Sequence, residues 1–285
     1  MRSYDEMMSM ILSFAETDDR IRAVTMEGSR ASKSALHDRY SDFDITFFVT
    51  DSRPFTTDRD WVRQFGEILI LQCPEDWYSH PYDPESRDPF AFLIQFADGN
   101  RIDLGIKDLS RIEDERSYDE PRIVLLKKDE LPQIVPIPDE SVFYVQRPSA
   151  KEYFDVCNEF RWVSVYAAKG LCREQLYYAK YAFDQLMMNQ FIKMLGWVVG
   201  VRHDFSVSVG GYGKYFKKYL TADELARFHG IFPNGEFEDI WEKLFKIYDF
   251  FAENAQFVAE KLGFAYDADE TARVRAYIEK MRREK

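Results

Sequence analysis

The sequence contains few of the residues that form disulfides or bind zinc. Its cysteines are odd in number, form no CxxC pair and lie among apolar or aromatic residues, so we expect reduced core thiols. The histidines are scattered without metal-ligand spacing, which argues against a zinc site. These residues are Cys73, Cys157, Cys172, His37, His80, His203 and His229.

Long apolar runs and an excess of positive charge are also missing. No apolar run is long enough to span a bilayer, and the N-terminal segment carries Asp5 and Glu6 without a small-residue cleavage site, unlike a signal peptide. The net charge of −12 disfavours broad nucleic-acid binding. Such a charge attracts cationic small molecules, or serves only solubility. We therefore expect a cytoplasmic protein that binds neither membranes nor nucleic acid.

The chain is long enough for two domains of ordinary size. It has 285 residues, of which 46% are hydrophobic, so a sizeable interior is expected rather than disorder. Aromatic residues reach 16%. Large rings line ligand clefts in some proteins, but most of these are expected to fill the core.

The first half has the pattern of a mixed sheet with a few helices. Residues 7–15 repeat apolar side chains at helical spacing, and residues 43–50 are apolar on both faces, as in a central strand. Asp98, Gly99 and Asn100 form the turn of a hairpin. The predicted strands are 21–27, 43–50, 67–73, 90–97, 101–106 and 122–128.

The pattern changes to helical after a proline-rich connection. We predict a first domain over 1–130, a connecting segment over 131–149 and a helical bundle over 150–285, which makes the fold class α+β. Thr221 with Glu224 forms a capping box, and Asp267 with Glu270 resembles one. The predicted helices are 150–169, 173–199, 222–229, 237–262 and 268–283.

A GSR sequence follows the first strand. Gly28 permits a tight turn against a ligand, and Ser29 is expected to open a helix, whose unpaired N–H groups suit phosphate. Arg30 adds a fixed positive charge, although it could equally be a surface residue. A lone GS after a strand is more often an ordinary turn.

Three aspartates accompany this turn. Asp42 and Asp44 are two apart on a strand and therefore share a face, whereas Phe43 points into the core. Asp103 also faces away from the core, and it joins the pair if its strand lies beside theirs. Clustered carboxylates favour Mg²⁺ as counter-cation, and two metals could clamp an in-line phosphoryl transfer. Each motif alone is weak, but their combination and order are specific.

This order of motifs resembles the nucleotidyltransferase superfamily. Nearly the whole chain is similar to the aminoglycoside 6-adenylyltransferases, also called streptomycin adenylyltransferases. The resemblance is carried by IRAVTMEGSRA, YSDFDITFFVTD, IQFADGNRIDLGI and FRWVSVYAAKGLCREQL.

The resemblance implies an N-terminal polymerase-β-like domain that binds ATP as its Mg²⁺ complex. It assigns Gly28, Ser29 and Arg30 to the nucleotide, and Asp42 and Asp44 to metal. The implied reaction transfers AMP to the 6-hydroxyl of streptomycin, releases pyrophosphate and gives antibiotic resistance. Asp103 would hold metal or activate the acceptor hydroxyl, which is a poor nucleophile until it loses its proton. We expect a monomer or weak homodimer.

The helical half is expected to supply the acceptor pocket. Asp184 is the first choice to take the hydroxyl proton, because its neighbours are mostly apolar and an ionised group there needs a reason. Acids would also suit a guanidinium-bearing acceptor. Rings could stack on it, although as a group they are more often core. The further candidates are Glu159, Asp155, Trp162, Tyr166 and Trp197. Glu159 and Asp155 could each instead lie on a solvated helix face, and for Asp155 that interpretation is favoured.

The triphosphate of a bound nucleotide also needs positively charged side chains. Lys169, Arg173 and Lys214 are plausible, and Lys214 follows a run of glycines that allows close backbone approach. For Lys214, a basic surface helix is an equal alternative.

Other functions fit the same motifs. The chain could act on another metabolite or on a protein side chain, or bind nucleotide as a non-catalytic regulator. The presence of three acids around one site disfavours the regulator, which has no chemical need for them. The net negative charge of the chain disfavours a nucleic-acid polymerase.

Overall fold

The computed structural model describes residues 1–35 and 37–285. These residues form two compact units, Met1–Val142 and Phe143–Lys285. The boundary falls inside the segment 131–149 that the sequence marks as a connection. The α+β class is confirmed, because the first unit contains a sheet and the second is helical.

The first unit is built on a six-stranded mixed sheet. Its order is β3-β4-β5-β2-β1-β6, in which β2 and β5 are parallel and the other pairs are antiparallel. All six predicted strands are present, with ends shifted by at most two residues. They are β1 (Ile21–Met26), β2 (Phe43–Val49), β3 (Ile68–Gln72), β4 (Phe90–Phe96), β5 (Arg101–Asp108) and β6 (Ile123–Lys127).

One face of this sheet is apolar and covered by α1 (Tyr4–Thr17). The helix begins with a capping box formed by Ser3 and Glu6, and it buries Met7 and Ile11 against the sheet. Alternation along β2 and β5 turns Phe43, Phe47 and their neighbours toward this core. The other face therefore carries the residues between them, including Asp44 and Asp103. Two short helices, α2 (Gly28–Ala31) and α3 (Arg53–Thr57), follow β1 and β2.

The second unit is a bundle around one continuous core. Large side chains such as Phe160, Trp241 and Phe251 fill it, and burial of each contributes about 1.5–3 kcal/mol. Its helices are α4 (Ala150–Cys172), α5 (Leu176–Tyr181), α6 (Met188–Arg202), α7 (Phe216–Tyr219), α8 (Ala222–His229), α9 (Phe237–Leu262) and α10 (Ala268–Glu284).

The helix predicted over 173–199 needs correction. It begins at Leu176, after a turn in which Glu174 has a positive φ of 55°. The turn is sharp because α4 and α5 pack closely at Gly170, where an added Cβ would lie 2.9 Å from the amide nitrogen of Ala179. A π-helical segment, Ala182–Met187, then separates α5 from α6.

The predicted helix starts are largely confirmed. Thr221 and Glu224 form the expected capping box of α8. Asp267 caps the amide of Glu270 at 2.7 Å. The carboxylate of Glu270 pairs instead with Arg161 at 2.7 Å, so the reciprocal half of that box is not formed. Across the described part of the chain, no helix combines the length and apolarity needed to cross a membrane.

Candidate active site

The turn after β1 is built around Gly28. Its φ is 64°, and a Cβ added there would lie 2.0 Å from Oδ2 of Asp44. Glycine is therefore required twice, by the left-handed backbone and by the adjacent carboxylate. The amide of Glu27 donates to the carbonyl oxygen of Asp44 at 2.9 Å, which fixes the turn against β2. Within the described residues, the Ser29 hydroxyl has no hydrogen-bond partner in this turn.

The three predicted aspartates are brought together. Asp42 immediately precedes β2, and Asp44 lies within it. In the parallel pairing of β2 with β5, Asp44 is directly opposite Asp103. Phe43 is fully buried on the other face, as predicted. Gly28, Asp44 and Asp103 thus meet on the sheet face opposite α1, near the start of β2.

Arg101 supplies a counter-charge that sequence reasoning missed. Its guanidinium holds both oxygens of Asp103 at 2.7 Å and lies 3.6 Å from Oδ2 of Asp42. The signal was in the sequence, because Arg101 stands two residues before Asp103 on the same strand and must share its face.

The cluster is electrostatically unfavourable as it stands. Burial and the adjacent Asp103 and Asp42 carboxylates raise the pKa of Asp44 to about 6. The pKa of Asp42 is also raised, by burial above all and then by Asp103, while Arg101 opposes the shift. Negative charge is therefore incompletely compensated at this edge of the sheet.

The chemistry of the donors fits a hard divalent cation. All are carboxylate oxygens, which Mg²⁺ prefers, and the carboxylate of Asp44 accepts no hydrogen bond from any residue that the structure describes. Across residues 1–35 and 37–285, however, no three acids, histidines or cysteines are already arranged around a common metal position. Arg101 accounts for part of this, because it engages Asp103.

Arg30 is engaged with the protein rather than free beside the turn. It donates to the backbone carbonyls of Asp42 at 2.8 Å and Ser41 at 2.7 Å, and its guanidinium lies 3.9 Å from the ring centre of Phe43. These contacts hold the segment that enters β2. Arg30 therefore fixes the backbone at Asp42 and, within the described residues, forms no hydrogen bond to a carboxylate of the cluster.

In the second unit, α4 presents an exposed stripe of predicted acceptor residues. Asp155, Glu159, Trp162 and Tyr166 share a face at helical spacing. Trp162 is 60% exposed, and its indole nitrogen donates to the Tyr166 hydroxyl at 2.7 Å. The expectation that these rings are core is wrong for Trp162 and right for Trp197, which is buried. Asp155 pairs with Lys151 on the same helix.

Asp184 is placed differently from the sequence expectation. It lies in the π-helical segment, is partly exposed, and pairs with Lys180 at 2.9 Å. Lys180 also donates to the carbonyl of Pro233 at 3.0 Å. The carboxylate of Asp184 thus has a cationic partner on the preceding helix α5. Single-turn π segments occur often at functional sites, which is a new reason to consider this position.

The predicted phosphate cations are scattered over the bundle. Lys169 is half-buried in the last turn of α4, and Arg173 is the exposed residue that follows this helix. Lys214 precedes α7 by two residues instead of opening it, at the end of a turn in which Gly210 has a φ of 68°. Its ammonium lies 5.1 Å from the Tyr215 ring centre.

Exposed tyrosines on α5 were not singled out from the sequence. Tyr177 and Tyr181 lie one turn apart and are 90% and 57% exposed. Exposed tyrosine rings can contact cations through their faces. Periodicity alone did not reveal them, because it does not indicate which face of so short a helix is covered.

Comparisons with known proteins agree over most of the chain. The family model described as streptomycin adenylyltransferase matches residues 1–281. An aminoglycoside 6-adenylyltransferase from Bacillus subtilis is 34% identical over 95% of both chains. One from Campylobacter jejuni is 35% identical over 93% of this chain and 91% of its own. The crystal structure of an aminoglycoside 6-adenyltransferase from Bacillus subtilis, 30% identical, covers 99% of each chain with a TM-score of 0.49.

Proposed function

Because the chain belongs to the streptomycin adenylyltransferase family of nucleotidyltransferases, we propose that it transfers AMP from MgATP to the 6-hydroxyl of streptomycin. Pyrophosphate is released, and the modified antibiotic no longer acts, which gives resistance. The observation that carries this proposal is the meeting of Asp42, Asp44 and Asp103 beside the Gly28 turn.

The first unit handles the nucleotide in this proposal. Gly28 lets the backbone approach the triphosphate, and the Ser29 hydroxyl donates to it. Asp42 and Asp44 hold Mg²⁺, with Asp103 as the third carboxylate. The cation, when bound, neutralises charge on the triphosphate and on the leaving pyrophosphate. Lys169 and Lys214 are further proposed phosphate contacts.

The transfer itself exchanges one phosphorus–oxygen bond for another. The acceptor hydroxyl oxygen bonds to the α-phosphorus, the bond to pyrophosphate breaks, and the hydroxyl proton passes to a carboxylate. We assign this proton to a carboxylate oxygen of Asp184. Lys180 pairs with the Asp184 carboxylate at 2.9 Å, and a cationic acceptor competes with that ammonium for the same oxygens.

The exposed stripe of α4 supports a cationic acceptor. Glu159 offers a carboxylate one turn from the Trp162 indole, and Trp162 is oriented by its hydrogen bond to Tyr166. A guanidinium bound by a carboxylate and stacked on an aromatic ring is a favourable pairing. Streptomycin is an acceptor of this chemistry.

Pyrophosphate release tests the proposal. We expect MgATP to be turned over with streptomycin and not with kanamycin, spectinomycin or no acceptor. Mass spectrometry and NMR of the product then identify the modified hydroxyl. Measurable MgATP binding without turnover of any aminoglycoside would overturn the proposed acceptor.

Two variant pairs test the assigned residues. Asp42→Asn should abolish turnover while the fold is kept, and Asp60→Asn, at an exposed acid, should leave turnover unchanged. Asp184→Asn should lower kcat while MgATP affinity is retained, whereas Asp155→Asn, on the exposed face of α4, should affect the acceptor KM alone. Equal loss of turnover and MgATP affinity in Asp184→Asn would mean a structural role.

A further inference from the structure

A buried network of charges adjoins the acid cluster on the face of the sheet opposite α1. The carboxylate of Glu27 accepts hydrogen bonds from the hydroxyls of Thr25 and Thr46. Its Oε1 also lies 3.3 Å from Nε of Arg122. Arg122 contacts a second buried carboxylate, Glu115, which in turn pairs with Lys107 at 2.7 Å. None of these residues is used by the proposed chemistry.

Arg122 is the centre of this network and has no access to solvent. Its side chain is 0% exposed, and Glu27 and Glu115 are 11% and 6% exposed. Within the described residues, Nε and Nη1 of Arg122 have no aligned hydrogen-bond partner. The guanidinium is therefore compensated mainly by charge. The Tyr118 ring, 3.8 Å from its centre, adds a cation–π contact.

The four charges cancel when all are ionised. Lys107 and Arg122 supply two positive charges, and Glu27 and Glu115 supply two negative ones. A buried network that stays neutral avoids the large cost of an uncompensated charge. Removing either carboxylate would leave one net positive charge inside the first unit.

Glu27 is the member of the network that adjoins the metal-binding acids. It directly precedes Gly28, and its amide donates to the carbonyl oxygen of Asp44. Thr46, which donates to its carboxylate at 3.1 Å, lies two residues after Asp44 on the same face of β2. Glu115 bonds only to Lys107 and Arg122 among the described residues, and to neither β1 nor β2.

We infer that Glu27 is a positioning residue that sets the divalent-cation affinity of the Asp42, Asp44 and Asp103 cluster by offsetting the charge of Arg122 on the side of the network that adjoins the cluster. The inference rests on the proposed metal site. Without the charge of Glu27, Arg122 and Lys107 outweigh Glu115, and a positive potential next to the cluster repels the cation.

Binding of Mn²⁺ to the full-length chain without nucleotide, followed by electron paramagnetic resonance, tests this. Glu27→Gln should weaken Mn²⁺ binding at least about tenfold, because the lost attraction between a unit charge and a nearby cation at intermediate dielectric is worth at least that factor. Glu115→Gln is the matched control, because it removes the same charge from the same guanidinium away from the cluster. Glu115→Gln should lower the melting temperature as much as Glu27→Gln does, but it should change the Mn²⁺ affinity much less.

A double variant separates charge balance from structural damage. Glu27→Gln combined with Arg122→Met leaves the neutral pair of Lys107 and Glu115, and Mn²⁺ affinity should return to within about twofold of the original. A purely structural role would make the double variant weaker than either single one. The measurement on the double variant also keeps the test decisive if Glu27→Gln alone does not fold.

The outcomes distinguish this inference from the proposed function. If the original chain binds no Mn²⁺, or Asp44→Asn binds it equally well, the proposed metal site itself is wrong. If Asp44→Asn loses Mn²⁺ while Glu27→Gln matches the original chain, only the role of Glu27 is wrong. Equal weakening by Glu27→Gln and Glu115→Gln also overturns that role.

Discussion

At the residue scale, Asp44 has a stability cost that follows from its place in the cluster. Its carboxylate is largely buried beside Asp103, Asp42 and Glu27, and its pKa is raised to about 6 from 3.8. The folded state therefore holds this proton more tightly than the unfolded chain does. The free energy of unfolding falls as pH rises from the lower value to the higher one, and the penalty is complete above the higher value.

Replacing Asp44 by asparagine should consequently separate stability from activity. In metal-free buffer near pH 8, we expect Asp44→Asn to raise the free energy of unfolding by about 1–2 kcal/mol, since the neutral amide avoids the charge penalty. The gain should vanish at about pH 3, where the original carboxyl is mostly protonated in both the folded and the unfolded state. Urea unfolding at both pH values measures it, and an equal gain at both would contradict the electrostatic origin.

A second prediction at the residue scale concerns Gly28. Gly28→Ala forces a Cβ into the Asp44 carboxylate and also meets a positive φ, so we expect a loss of about 2–4 kcal/mol in stability together with loss of turnover. Gly263→Ala is the control, because Gly263 also has a positive φ, of 74°, but no atom within 4 Å of an added Cβ. Gly263→Ala should lower the free energy of unfolding by about 1 kcal/mol. Equal costs would show that the carboxylate contact is unimportant.

At the element scale, α4 has two faces with different tasks. Its N-terminus is fixed by a capping box between Ser149 and Glu152. Its buried face packs Phe160 against Phe251, with ring centres 3.7 Å apart, while the opposite face exposes Trp162. An aromatic ring that contributes little to the core is available for a ligand.

Two tryptophan substitutions compare these tasks. Trp162→Ala should raise the KM for streptomycin about three- to tenfold through lost stacking and leave the melting temperature nearly unchanged. Trp197→Ala removes a buried ring of α6 and should destabilise the protein by about 3–5 kcal/mol. Steady-state kinetics and thermal unfolding of both variants measure this. A large stability loss in Trp162→Ala would place its role in packing.

At the scale of the whole molecule, the net charge of −12 favours cationic ligands. The KM for streptomycin should rise about two- to threefold when salt is increased from roughly 50 mM to roughly 300 mM, because mobile ions screen the attraction. The KM for MgATP, which is an anion, should fall or stay constant over the same range. A streptomycin KM that is insensitive to salt would contradict charge-driven recognition.

The sequence by itself determined the features that depend on local periodicity. Apolar runs and alternating patterns predicted all six strands, and the two-residue period placed Asp42 and Asp44 on one face, because strand side chains alternate regardless of their neighbours. The glycine turn after β1 followed from local backbone chemistry. Whole-chain resemblance supplied the family, which the comparisons confirmed.

The tertiary structure determined which residues from different elements become neighbours. That β5 pairs with β2 and sets Asp103 opposite Asp44 is a matter of sheet order, which local periodicity does not encode. The same pairing brings Arg101 within 3.6 Å of Asp42, and only packing showed that Trp162 is exposed while Trp197 is buried. Periodicity tells which residues share a face. Which face is covered depends on contacts between elements distant in sequence.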